Sequence, residues 1–408
     1  VFGNLPQGAK PAPRAGVGEG RRGENKEETL ISPRRKEMKS FIVMDVLERA
    51  QEMERLGRRV IHLEVGEPDF DTPEPIKEAC LRAIREGETH YTHSLGLVPL
   101  REAICEQYAE KYGVEISPDQ ILVTSGTSPA MLLLFSALLE QGSEVILSNP
   151  SYPCYPNIIS YVGGRPVLVD TEEEEGFQYL PVAIKRQTTP KTKGIIVNSP
   201  SNPTGIVMDK KRMKEIAALS PVIISDEIYH GLVYKGEEHT MLEFTDRCFV
   251  LNGFSKLYAM TGWRLGYLIA PQEFIRPMQV MQQNLFISPN SFVQWAGIAA
   301  LREAHKEVEE MKEIYNRRRE FMLQRLKEVG FGVAVEPTGA FYILANARRY
   351  AADSYRLAFD ILEKAGVGVT PGIDFGSRAE GFLRFSYANS LENIEEGMER
   401  LQKYLASL

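Results

Sequence analysis

Residues 253–267 read Gly-Phe-Ser-Lys-Leu-Tyr-Ala-Met-Thr-Gly-Trp-Arg-Leu-Gly-Tyr. An apolar, strand-like run at 249–251 precedes them, and another at 267–269 ends them. Lys256 therefore sits just past the end of a buried strand, among small residues, with Arg264 eight positions on. A lysine there is costly to desolvate unless something uses its amine. Burial or a nearby cation lowers the amine's pKa toward the range where it acts as a nucleophile. Taken alone, Lys256 reads first as a solvated loop lysine, where most lysines are found. The surrounding chain decides otherwise.

Working outward, short apolar runs occur at 121–123, 145–147, 166–169, 195–197, 222–224, 249–251 and 267–269. Helical stretches such as 130–140 and 210–219 separate several of them. Continuous apolar strands alternating with helices predict an α/β fold with a mostly parallel seven-stranded sheet covered on both faces. Sites in such sheets gather at the carboxyl ends of the strands. Upstream, 44–56 has helical spacing with Gly57 as its C-cap, and 61–65 is strand-like, ending in the turn Gly66-Glu67-Pro68-Asp69. Helices are expected at 75–85 and 99–112, with a glycine-containing loop at 91–96 that begins with Tyr91. Downstream, helical stretches at 271–304 and 307–329 precede apolar runs at 333–335, 341–344, 367–369 and 382–385, which predict a smaller α+β domain.

A chain of 408 residues fits two domains. The expected division is a disordered or non-native tail at 1–36, an N-terminal arm joining the small domain at 37–70, a large domain at 71–300 and a small domain at 301–408. The first methionine, Met38, and the Gly/Pro/Arg/Glu-rich composition set off that tail. A net charge of −7 argues against nonspecific affinity for nucleic acid or an anionic membrane. Cys80, Cys105, Cys154 and Cys248 lack metal-ligand spacing and read as reduced thiols of a cytoplasmic protein, so no metal site is expected. No apolar run approaches bilayer length.

The strand ends carry the chemistry. After 121–123 comes Thr124-Ser125-Gly126-Thr127-Ser128-Pro129, small residues at a helix start that form an anion cradle. After 195–197 comes Asn198-Ser199-Pro200-Ser201-Asn202-Pro203-Thr204-Gly205, and after 222–224 comes Ser225-Asp226-Glu227-Ile228-Tyr229. Ser255-Lys256 and Arg264 complete the set. Each fragment alone is ordinary: Asp226 caps a turn, and Tyr152 and Tyr229 are core-edge aromatics. Together they supply an amine, a carboxylate, a phenol, an amide, a guanidinium and backbone N–H groups. That is what a phosphorylated pyridine aldehyde requires.

In these motifs and their order, the chain from about residue 33 onward resembles the fold type I pyridoxal-phosphate enzymes, specifically the class I and II aminotransferases. The resemblance implies pyridoxal 5′-phosphate as cofactor, with Lys256 forming the Schiff base and moving the α-proton. It implies Asp226 on the ring nitrogen, Asn202 and Tyr229 on the ring's phenolic oxygen, and Tyr152 on the ring face. Gly126, Thr127, Ser128, Ser255 and Arg264 would hold the phosphate. Tyr91 would reach the phosphate of the neighbouring subunit, which implies a homodimer with shared active sites. Arg384, in a strand where a charge would otherwise be penalised, would grip the substrate's α-carboxylate, assisted by Gly66 and Asn202. Asn149-Pro150 and Asn202-Pro203 are expected to be cis, as in relatives.

Family members that prefer dicarboxylates carry an extra cation. The position of one such lysine is Ser128 here, and residues 280–300 contain no Arg or Lys. Phe41, Ile42, Val43, Tyr91 and Phe286 would instead line an apolar pocket. The expected reaction is therefore ping-pong transfer from a neutral aliphatic or aromatic L-amino acid, with aspartate as a lesser option, to 2-oxoglutarate or pyruvate. The alternatives are a carbon–sulfur lyase of the same fold and a noncatalytic cofactor-binding sensor. A regulator of that second kind would carry a winged-helix segment, and residues 1–40 are too short and irregular for one.

Overall fold

In the computed structural model, which describes residues 38–407, every one of the seven apolar runs becomes a strand of one sheet. The tail expected at 1–36 lies outside the described residues. In chain order the strands are β1 (Ile61–His62), β2 (Ile121–Thr124), β3 (Glu144–Asn149), β4 (Arg165–Asp170), β5 (Thr192–Asn198), β6 (Val222–Asp226), β7 (Cys248–Gly253), β8 (Gly266–Ile269), β9 (Tyr342–Asn346), β10 (Val367–Gly368), β11 (Thr370–Pro371) and β12 (Phe382–Ser386). The large sheet has the order β2-β8-β7-β6-β5-β3-β4. Only β8 runs against its neighbours, pairing antiparallel with both β2 and β7. The other six strands end at the same edge.

Helices cover both faces because the central strands are buried on both sides. Val123, Ile195 and Val250 pack into one layer, while Leu122, Ile196 and Leu251 pack into the other. This period-two split of a continuous apolar run is what a doubly covered sheet demands. A second core, built on helix His305–Val329, β9 and β12, also takes in Ile61 and Leu63. The chain before the large sheet thus packs with the chain after it. β12 lies between β11 and β9 in a three-stranded antiparallel sheet, and β1 pairs parallel with β10.

Three sequence expectations are corrected. The stretch 271–304 is two helices, Gln272–Leu285 and Ser291–Glu303. Between them Ile287 takes φ +68°, and Pro289 offers no N–H to continue the ladder. Residues 333–335 form no strand: only Gly332 bridges Asn346, and the chain then leaves the edge of β9. The strand expected at 61–65 is shorter, because the chain bends after Leu63, whose N–H still bonds the Gly368 carbonyl at 3.0 Å.

Candidate active site

Asn198 ends β5, and its register partner Asp226 ends β6. At the edge of the same sheet, β2 leads into Gly126 and helix Thr127–Leu138. These ends, together with Ser255-Lys256 beyond β7, open on a cavity of about 380 Å³. Its walls include Gly66, Thr127, Ser128, Tyr152, Asn202, Asp226, Tyr229, Ser255, Lys256, Arg264 and Arg384. Most residues singled out from sequence therefore share one space. Gly126 lies just behind it, against Arg264. Tyr91 does not join them: it is 86% exposed and outside the cavity wall of its own chain.

Lys256 donates from Nζ to the Gly66 carbonyl at 2.6 Å. Loss of bulk water around the amine, with the guanidinium groups of Arg384 and Arg264 near it, lowers its pKa to about 8, against the pull of Glu67. Asp226 has the opposite problem. Burial pushes its carboxyl up to about 6, while the Tyr155 hydroxyl and the Ile228 N–H pull it back. Tyr155 donates to Oδ2 at 2.5 Å and Ile228 N–H to Oδ1 at 3.2 Å.

At one end of the cavity Arg264 lies against the start of helix Thr127–Leu138. Gly126 has φ +92°, and a Cβ there would stand 2.4 Å from Arg264 Nη2, so glycine is what lets the guanidinium reach the helix N-terminus. Arg264 itself takes φ +56° and bonds the Thr261 carbonyl through Nη1 at 2.9 Å. Free helix N–H groups and a guanidinium converge there, the arrangement that binds a phosphate. Arg384, also in the cavity lining and 2% exposed, donates to Asn202 Oδ1 at 2.9 Å, to the Glu64 carbonyl at 2.6 Å and to Thr370 Oγ1 at 3.2 Å. It lies over the Tyr342 ring, 4.3 Å from the centroid. Among the described residues no carboxylate pairs with it. A buried guanidinium without a counter-ion is expensive, and a ligand carboxylate removes that cost. An anion cradle, a reactive amine, a buried carboxylate and a flanking aromatic thus fit pyridoxal phosphate, with the second guanidinium left for an acid substrate.

Sequence reasoning did not find Tyr155 and Tyr342. Tyr155 lies in the first turn of helix Cys154–Tyr161, and its ring meets that of Tyr152, which precedes the helix, with centroids 5.3 Å apart. Tyr342 Oη shares a 2.8 Å hydrogen bond with Tyr229 Oη. It lies diagonally from Arg384, since β9 and β12 pair Leu344 with Arg384. The cis isomer is found at Asn149-Pro150 and Asn202-Pro203, as expected, and also at Ser199-Pro200.

Fold and cavity together define a pyridoxal-phosphate enzyme, and comparison places it among the transaminases. Residues 58–401 match the family described as aminotransferase class I and II, and the chain belongs to it. The (5-formylfuran-3-yl)methyl phosphate transaminase of Methanocaldococcus jannaschii is 43% identical over 380 residues, covering 92% of this chain and all of that protein. An aspartate aminotransferase of Thermus thermophilus, solved with maleate, superposes with a TM-score of 0.88 at 39% identity, covering 91% of this chain and 99% of that one. An aromatic aminotransferase of Pyrococcus horikoshii superposes with a TM-score of 0.83, also at 39% identity, covering 90% and 99%.

Proposed function

We propose that the chain moves an amino group from a neutral aliphatic or aromatic L-amino acid to 2-oxoglutarate or pyruvate, in two successive half-reactions. The supporting observation is the cavity's cation inventory. Its lining cations are Lys256, Arg264 and Arg384, and in this reading proton transfer, the phosphate and the α-carboxylate take them in turn. Among the described residues of this chain, no further cavity-lining cation remains for a donor's second carboxylate. Phe41, Val43, Met44, Leu47 and Met131 add apolar wall, and Glu67 adds a negative charge beside that of Asp226. Relatives named for aspartate and for aromatic amino acids stand at similar identity, so overall similarity does not choose between donors.

When bound, pyridoxal phosphate supplies the electron sink that makes the proton on the amino acid's α-carbon removable. Asp226 would hold its ring nitrogen, Asn202 and Tyr229 its phenolic oxygen, Tyr152 its face, and Gly126, Thr127, Ser128, Ser255 and Arg264 its phosphate. Arg384 grips the substrate's α-carboxylate bidentately, with Gly66 and Asn202 beside it. Lys256, neutral above about pH 8, would take the proton from the substrate's α-carbon and hold it on Nζ for return in the same half-reaction. Tyr91, outside the wall of its own cavity, serves the site of a second copy in a homodimer. Residues 71–300 form the cofactor-binding domain in this reading, and 37–70 with 301–408 form the domain that carries Arg384.

The test is a donor screen against both oxo acids at fixed enzyme concentration. Phenylalanine, tyrosine, leucine and alanine should exceed aspartate in kcat/KM. Aspartate ahead by tenfold or more overturns the donor assignment. Release of pyruvate from cysteine-like donors without any acceptor overturns the transfer reaction in favour of elimination.

A further inference from the structure

We infer that Tyr155 is a positioning residue for the cofactor: its hydroxyl orients the Asp226 carboxylate and holds it as an anion facing the cavity. The inference rests on the reading of Asp226 as partner of the ring nitrogen. Asp226 is 6% exposed and Tyr155 1% exposed, so neither has bulk water to satisfy it. A carboxylate in that setting takes up a proton unless donors replace the water it has lost. Two donors are present. The Ile228 N–H belongs to the turn after β6 and comes with the backbone, whereas the Tyr155 hydroxyl comes from a different element, helix Cys154–Tyr161. No ion pair of Asp226 is found among the described residues.

The charged and titratable groups around Asp226 do not replace that donor. From its own turn, Glu227 raises its proton affinity and His230 lowers it. Tyr152 and Tyr229 face the same space, and Lys256 feels the Asp226 charge from the strand end beyond β7. Tyr155 is suited to the role because it keeps its own proton. Burial, and then the adjacent Asp226 charge, hold its phenol far above the ordinary range. A donor that cannot ionise stays a donor at every working pH. Tyr155 also packs edge-on against Tyr152, with centroids 5.3 Å apart at 81°, so one side chain touches both the expected ring-nitrogen partner and the expected ring-face aromatic.

Tyr155→Phe separates these contacts, since it removes the hydroxyl and keeps the ring. The measurement is retention of pyridoxal phosphate by the holoenzyme, dialysed to equilibrium in buffers from pH 5 to 8. Wild-type retention should fall as pH drops through about 6, where Asp226 takes up a proton. In Tyr155→Phe the fall should begin about one pH unit higher, with affinity at neutral pH lower by roughly 10- to 100-fold, the size of a lost hydrogen bond to a charged group. Asp226→Asn should lose the acid transition altogether. Incorporating 3,5-difluorotyrosine at 155 keeps size and packing but strengthens the donor, and should move the transition to lower pH. An unshifted transition and wild-type affinity in Tyr155→Phe, with Asp226→Asn impaired, overturn the inference about Tyr155. Wild-type retention in Asp226→Asn overturns instead the assignment of Asp226 on which it rests.

Discussion

Lys256 Nζ and the Gly66 carbonyl oxygen are joined by a 2.6 Å hydrogen bond between residues 190 positions apart in the chain. The amine is thus aimed by backbone from the turn after β1, not by its own loop. Its pKa of about 8 means that it becomes a neutral nucleophile roughly two units below an exposed lysine. In cofactor-free protein, labelling of Lys256 by an amine-reactive reagent should rise with pH through about 8, while surface lysines label only near pH 10. Peptide mass spectrometry across pH 6–11 reads this directly. Lys256→Ala should lower kcat by at least ~10³-fold, the scale of a positioned proton-transfer group.

Arg384 is gripped by Asn202, the Glu64 carbonyl and Thr370, yet has no ionic partner among the described residues. Arg384→Lys keeps the charge and loses the planar fork. Steady-state kinetics should show kcat/KM for the amino donor falling by ~10²-fold or more, mostly through KM. Cofactor retention should change far less, because Arg384 bonds only Asn202 among the residues expected to hold the cofactor.

A Cβ on Gly66 would stand 2.3 Å from Tyr342 Oη, which already bonds Tyr229. Gly66→Ala should therefore destabilise the protein by about 1–3 kcal/mol, as overpacking does. Removing the obstructing oxygen in Gly66→Ala/Tyr342→Phe should recover more than half of that loss. Urea unfolding of both single variants and the pair measures the coupling.

His62 Nδ1 lies 2.6 Å from the carboxylate of Glu64, which is fully buried. That bond, outweighing the desolvation that opposes it, raises the His62 pKa from 6.5 to about 9. A histidine with a raised folded-state pKa contributes stability that is complete below 6.5 and disappears as pH rises through 9. Wild-type protein should lose stability between pH 6.5 and 9. His62→Gln should be less stable at pH 6.5, by about 1–2 kcal/mol after allowance for partial exposure, and should lack this pH dependence. Thermal unfolding across that pH range checks both statements.

Much of the architecture was legible because strand and helix periodicity are local. All seven apolar runs of the large sheet became strands, since short apolar runs recurring between helical stretches suit a sheet covered on both faces. Where local pattern was ambiguous, tertiary context ruled. Residues 333–335 carry apolar side chains but lie beyond a single bridge at Gly332, so no ladder forms. The apolar spacing of 271–304 continued across Pro289, but the helix did not.

The site divides in the same way. Which chemical groups this protein brings to the site was written in its sequence: a lysine, a carboxylate, an amide, two phenols and a guanidinium beside strand or helix boundaries that the pattern marks, and a second guanidinium, Arg384, within an apolar strand. Which of them touch was decided only by the fold. Tyr155 on Asp226, Tyr342 on Tyr229 and the Gly66 carbonyl on Lys256 span 71, 113 and 190 positions of chain. Such pairings follow from close packing among elements distant in sequence, and no periodicity along the chain encodes a distance of a few ångströms across it.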